Sequence, residues 1–132
     1  MRPKTSILLY CADRELLSTI LFALRLRPYA VVPFCNSVDA SLIAVDREEA
    51  FACGVLIHAQ RRDPAGRLIH RLLESGARIP LLLVDRAGDL APVRYADIVL
   101  YGRNTSMAHI LAALDVLCQR RPRPRPRSRS AA

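Results

Sequence analysis

Val55, Leu56 and Ile57 make a short apolar run that begins after Gly54 and stops at His58, inside the stretch ACGVLIHAQ of residues 52–60. A run of this kind reads as a strand apolar on both faces. Such a strand constrains the whole chain, because both of its faces must be covered by other elements. Residues 5–11 (TSILLYC) and 81–84 (LLLV) have the same character, and 29–35 (YAVVPFC) and 97–101 (DIVLY) give two further strands. Pro33 lacks a backbone N–H, which confines the strand at 29–35 to an edge of the sheet.

Stripes at helical spacing alternate with these runs. Leu17, Ile20, Leu21 and Leu24 follow an N-cap at Asp13, and Pro28 ends that helix. Ser37 can cap a second helix carrying Val38, Leu42 and Val45 on its apolar side. Asp63 and Pro64 open a third, with Ala65, Leu68, Ile69 and Leu72 inward and Gly76 as its stop. Asn104, Thr105 or Ser106 caps the last, whose stripe is Met107, Ile110, Leu111, Leu114 and Cys118. Between Asp85 and the final strand only residues 86–96 remain, and they include Gly88 and Pro92, so one or two helical turns fit there. Strand and helix alternate five times, which predicts an α/β fold: a doubly wound parallel sheet joined by right-handed crossovers, with a shortened fourth helix.

The totals agree with a single domain. At 132 residues the chain can bury a core without disulfides or metals. Its longest apolar runs, such as ILLYCA, fall far short of the roughly 20 residues that cross a bilayer, so no membrane contact is expected. Asp13, Arg14 and Glu15 end the first apolar run too early for a secretory leader, and a cytoplasmic location is expected. Cys11, Cys35, Cys53 and Cys118 have neither CxxC nor metal-finger spacing and read as reduced thiols. The net charge is +8, yet six arginines (Arg120, Arg121, Arg123, Arg125, Arg127 and Arg129) lie in the last thirteen residues, RRPRPRPRSRSAA, leaving the body at only +2. Two regions are expected: a domain over 1–119 and a disordered, proline-broken tail over 120–132.

The order of elements resembles the receiver domain of bacterial response regulators, a flavodoxin-like (CheY-like) fold whose five strands run in the order 2-1-3-4-5. The resemblance rests on SILLYCADRELL, on VLIH followed by DPAGRLIHRLLES, on IPLLLV, and on ADIVLYG before the last helix. It implies a phosphorylation pocket at the C-terminal ends of the strands, and the matching positions carry other residues. Cys11 and Ala12 stand where an acidic pair is usual, with Asp13 one place later. His58 takes the place of the phosphorylated aspartate, Asp85 that of a Ser or Thr, and Tyr101-Gly102 that of a Lys-Pro pair. Without a carboxylate at 58 no acyl phosphate forms, and without the acidic pair a hard Mg²⁺ ion loses its oxygen ligands. The resemblance therefore implies a degenerate receiver that is not an enzyme, takes no cofactor or metal, and signals through protein partners the sequence does not name.

Three sharper readings stand beside this one. His58 with Asp13 and Asp85 supplies mixed N and O ligands for a transition metal, against the plainer reading of a histidine packed at a strand end. Cys11, at the end of a strand and before a helix, resembles the phosphocysteine of sugar-phosphotransferase IIB domains, although ADRELL lacks the small residues that cradle a phosphate. The arginine tail can contact a polyanion or nucleic acid through phosphates. Its alternation with proline scatters the charges around the axis, and no aromatic is interleaved to stack a base.

Overall fold

The computed structural model describes residues 5–47, 50–59, 65–76, 79–87, 96–102 and 105–119. Five strands, β1 (Thr5–Cys11), β2 (Tyr29–Phe34), β3 (Cys53–His58), β4 (Leu81–Asp85) and β5 (Ile98–Tyr101), form one sheet in the order β2-β1-β3-β4-β5. All four pairings are parallel. The helices are α1 (Arg14–Arg25), α2 (Ser37–Asp46), α3 (Ala65–Ser75) and α4 (Met107–Gln119). The expected architecture is thus present, with β2 and its Pro33 at an edge of the sheet. Residues 88–95, which hold most of the segment expected to carry a shortened helix, lie outside the described residues, as do Asp63, Pro64 and Asn104.

Alternation along each strand sorts the core into two layers. Ile7, Leu9 and Cys11 of β1, Val55 and Ile57 of β3, and Leu82 and Val84 of β4 face one side, covered by Ile20 and Leu24 of α1 and by Ile110, Leu114 and Leu117 of α4. Leu8, Tyr10, Leu56, Leu81 and Leu83 face the other, covered by Ala40 and Ala44 of α2 and by Ala65, Leu68, Ile69 and Leu72 of α3. Every residue of β3 and β4 is buried, as a strand covered on both faces requires. Gly54 marks the tightest approach, since a Cβ there would stand 2.9 Å from Leu81 Cδ2.

Caps fall close to their expected places. Asp13 accepts hydrogen bonds from the N–H groups of Glu15 and Leu16 at 3.0 and 3.1 Å, and Gly76 follows α3 at φ +73°. Ser106 is the residue that caps α4, its Oγ accepting from His109 N–H at 3.2 Å. At α2 two expectations are corrected. Asn36, not Ser37, is the N-cap, accepting from Val38 and Asp39. The stripe Val38, Leu42 and Val45 is exposed, at 43%, 61% and 47%. Ala40, Ser41 and Ala44 are the buried face, because the helix lies close against β1 and α3 and only small side chains fit beneath it. Hydrophobic periodicity picked out the larger side chains, while space selected the smaller ones. Among the described residues no helix is long and apolar enough to cross a membrane.

Candidate functional site

Three of the expected pocket residues form one row at the C-terminal edge of the sheet. His58 is in register with Asp85, and Asp85 with Tyr101. Paired positions on parallel neighbours project to the same face, and by alternation with Leu56, Leu83 and Val99 this row lies on the α2 and α3 side. His58 and Asp85 are only 2% and 1% exposed, whereas Tyr101 is open to solvent. The edge is closed by backbone bonds: Arg86 N–H donates to the His58 carbonyl and Gly102 N–H to the Asp85 carbonyl, both at 2.9 Å. Gly102 has φ +110°, a conformation that a side chain would strain, and the Thr105 hydroxyl donates to its carbonyl at 2.8 Å.

The rest of the expected pocket is turned elsewhere. Cys11 points to the opposite face with Ile7 and Leu9, is fully buried, and its thiol donates to the Asp13 carbonyl at 3.4 Å. Ala12 contributes only a methyl group to the α2 and α3 layer. Asp13 is exposed and its Oδ1 is occupied by the cap of α1. The trio of Asp13, His58 and Asp85 is not assembled, since among the described residues no group of three His, Cys, Asp or Glu side chains is placed to hold a metal ion. These residues do not fit a hard divalent cation either. Such an ion needs several converging oxygens, and one carboxylate here caps a helix while the other is buried beside an imidazole position.

No family model matches the chain, and no curated protein does. Solved structures do match. A response regulator receiver domain from Clostridium thermocellum aligns over 86% of this chain and 94% of its own, at 13% identity and a TM-score of 0.73. A Francisella response regulator receiver domain aligns over 87% and 97%, at 10% identity and 0.72. A protein described as belonging to a family of streptococcal redox sensors evolved from two-component response regulators aligns over 87% of this chain and 51% of its own, at 17% identity and 0.71. This chain has a receiver-domain fold.

A receiver fold has a second edge, where its strands begin. Crossover helices run antiparallel to the strands they follow, so the C-terminal end of α4 lies over the start of the sheet. There Asp115 ties α4 to the corner between α1 and β2. Its Oδ2 accepts from Arg27 Nη1 at 3.1 Å, and its Oδ1 from the Tyr29 hydroxyl. Burial, followed by this hydrogen bond to a carboxylate, pushes the Tyr29 phenol far above its ordinary value of 10.0. One turn on, Cys118 Sγ lies 3.2 Å from Cys53 Sγ at the start of β3. Sequence reading singled out neither Asp115 nor this thiol pair. Two signals pointed to the latter: alternation puts Cys53 with Val55 and Ile57, and Cys118 ends the apolar stripe of α4.

Tyr29→Phe is expected to lower stability by about 1.5 kcal/mol, the usual worth of a hydrogen bond to a charged group. Since the folded-state pKa of Tyr29 is raised, its contribution is complete below pH 10.0 and is lost as the pH rises beyond that value. Urea unfolding across the alkaline range should therefore fall more steeply for the wild type than for Tyr29→Phe; parallel curves would show that the hydroxyl is not held by Asp115.

The six tail arginines, Arg120, Arg121, Arg123, Arg125, Arg127 and Arg129, lie outside the described residues.

Proposed function

We propose that the chain is a receiver-like signalling module that works through protein contacts, with no acyl-phosphate step, in a bacterial two-component or phosphorelay-type setting. The observation that carries this reading is the row His58, Asp85 and Tyr101 at the place where a receiver holds its phosphorylation chemistry. An imidazole at the phosphoacceptor position forms no acyl phosphate. The neighbouring carboxylate would repel a phosphoryl group, and the tyrosine supplies no cation to balance it. Cys11 offers no substitute nucleophile, being fully buried on the other face.

Two further observations support contact as the mode of action. Among the described residues the five-stranded sheet carries helices on both faces, a scaffold on which a binding surface can be positioned. The larger apolar side chains of α2 lie outside the core, leaving Val38, Leu42 and Val45 available on one helix. The likeness in fold to redox sensors evolved from response regulators supports the step from a phosphorylated receiver to one with a different input.

The test is incubation of the full chain with a small phosphodonor and Mg²⁺, followed by intact-mass measurement. The expected spectrum is that of the untreated protein. A stoichiometric phosphoryl adduct, on His58, Cys11 or any other residue, would overturn the reading.

A further inference from the structure

The thiol pair at the N-terminal edge of the sheet goes beyond that function. Cys53 and Cys118 are 65 residues apart in sequence, sit on different elements, and have their sulfurs 3.2 Å apart. A disulfide has its sulfurs at about 2.05 Å, so they must close by little more than an ångström. Cys53 is fully buried at the start of β3, whereas Cys118, on the last turn of α4, is only partly buried. The pair is therefore asymmetric, with one thiol shielded by the core and one that a small molecule can approach. Its geometry is held independently, because Asp115, three residues earlier on α4, is fixed to Tyr29 and Arg27.

We propose that Cys53 and Cys118 are an oxidation site that takes a small peroxide and closes to a disulfide, tethering the C-terminal end of α4 to the first residue of β3. The Cys118 thiolate attacks one peroxide oxygen and the O–O bond breaks. This leaves a sulfenic acid on Cys118 and a hydroxide that takes up the proton released from the thiol. The Cys53 sulfur then attacks the Cys118 sulfur, the S–O bond breaks, and the second oxygen leaves as water with the Cys53 proton. Two thiols and one peroxide give one disulfide and two waters. An external dithiol reverses the reaction by exchange at the accessible Cys118 sulfur.

The charge distribution around the pair matches this order of events. The hydrogen bond between the two sulfurs lowers the pKa of Cys118, against the opposing pull of burial and of the Asp115 carboxylate. The same contact, with burial, raises that of Cys53. The attacking sulfur is thus the accessible one, and the resolving sulfur is the buried one. Cys35 is exposed and Cys11 is buried with its thiol on the Asp13 carbonyl, so both serve as internal references.

The test treats reduced full chain with one equivalent of hydrogen peroxide, blocks remaining thiols by alkylation, and maps peptides without reduction. The expected product has lost two thiols and carries a peptide joined through Cys53 and Cys118, restored to two free thiols by dithiothreitol. Its Tm should rise by roughly 5 to 10 °C, because the crosslink restricts a long loop in the unfolded chain. In Cys35→Ser the same crosslink should form to the same extent, which excludes pairing between chains through the exposed thiol. The proposal fails if both thiols remain alkylatable, if the crosslink joins other cysteines, or if Cys118 is carried to sulfinic acid without closing. The wild-type peptide map decides between these outcomes even if variants at 53 or 118 do not fold.

Discussion

His58→Asp will destabilise the protein by about 3 to 5 kcal/mol at neutral pH, and it will not make the chain phosphorylatable. The new carboxylate would stand in register with Asp85, on the same face of the sheet, at two positions that are 2% and 1% exposed. Two adjacent carboxylates out of water cannot both ionise without a large cost, so the pKa of the introduced acid is driven up by burial and by its neighbour. An acid whose folded pKa is raised contributes fully below its unfolded value of about 3.9 and loses that contribution as the pH climbs through the raised value. The deficit should therefore be small near pH 5 and large near pH 8. Urea titrations of His58→Asp and of the uncharged control His58→Asn check this, the two diverging as the pH rises. Equal deficits at both pH values would mean that a carboxylate at position 58 reaches water and is not held beside Asp85. Phosphorylation fails in the same variant for a separate reason. Cys11 faces away, Ala12 has no ligand atom and Asp13 caps α1, so restoring one carboxylate restores neither a cation site nor a countercharge.

The difference between what was legible in the sequence and what was not follows from distance along the chain. Element positions and caps depend on residues a few positions apart, and the apolar run ending at His58 and the Asp13 cap were visible for that reason; the strand order came from the resemblance. The parallel sheet then followed from alternation alone. The α2 face was misread because periodicity counts apolar residues without knowing how much room lies beneath them, and Ala40 and Ala44 fit where Leu42 does not. The resemblance placed Cys11 and His58 at strand ends but carried no orientation: they end neighbouring strands and face opposite layers. The Asp115 contacts and the Cys53–Cys118 pair join residues 65 to 88 positions apart. Local pattern placed Cys53 and Cys118 in one layer, but bringing them to one end required the antiparallel run of α4 over the sheet, a tertiary fact.

Among the contacts that hold α4 in place, burial of Leu114, the Tyr29 hydrogen bond and the thiol contact differ in magnitude. Leu114 is fully buried between Ile110 and Leu117, in the layer that covers the sheet face carrying Val55, Ile57, Leu82 and Val84. Its truncation to Ala removes apolar burial and leaves a cavity in a layer with strands behind it, which limits relaxation, so about 3 kcal/mol is expected. Loss of the Tyr29 hydroxyl costs about half of that. A reduced thiol contact contributes less still, because S–H is a weak donor. Val116, on the same helix and 51% exposed, is the internal control, and Val116→Ala should stay within about 0.5 kcal/mol of wild type. The check is a urea midpoint shift at unchanged slope, which marks lost stability without a change in the surface exposed on unfolding. If Leu114→Ala cost no more than Val116→Ala, α4 would not be seated on β3, and both the Asp115 contacts and the thiol pair would lose the helix that positions them. With the expected cost, burial of the α4 stripe sets the position of the helix, and Asp115 and Cys118 act from a helix already in place.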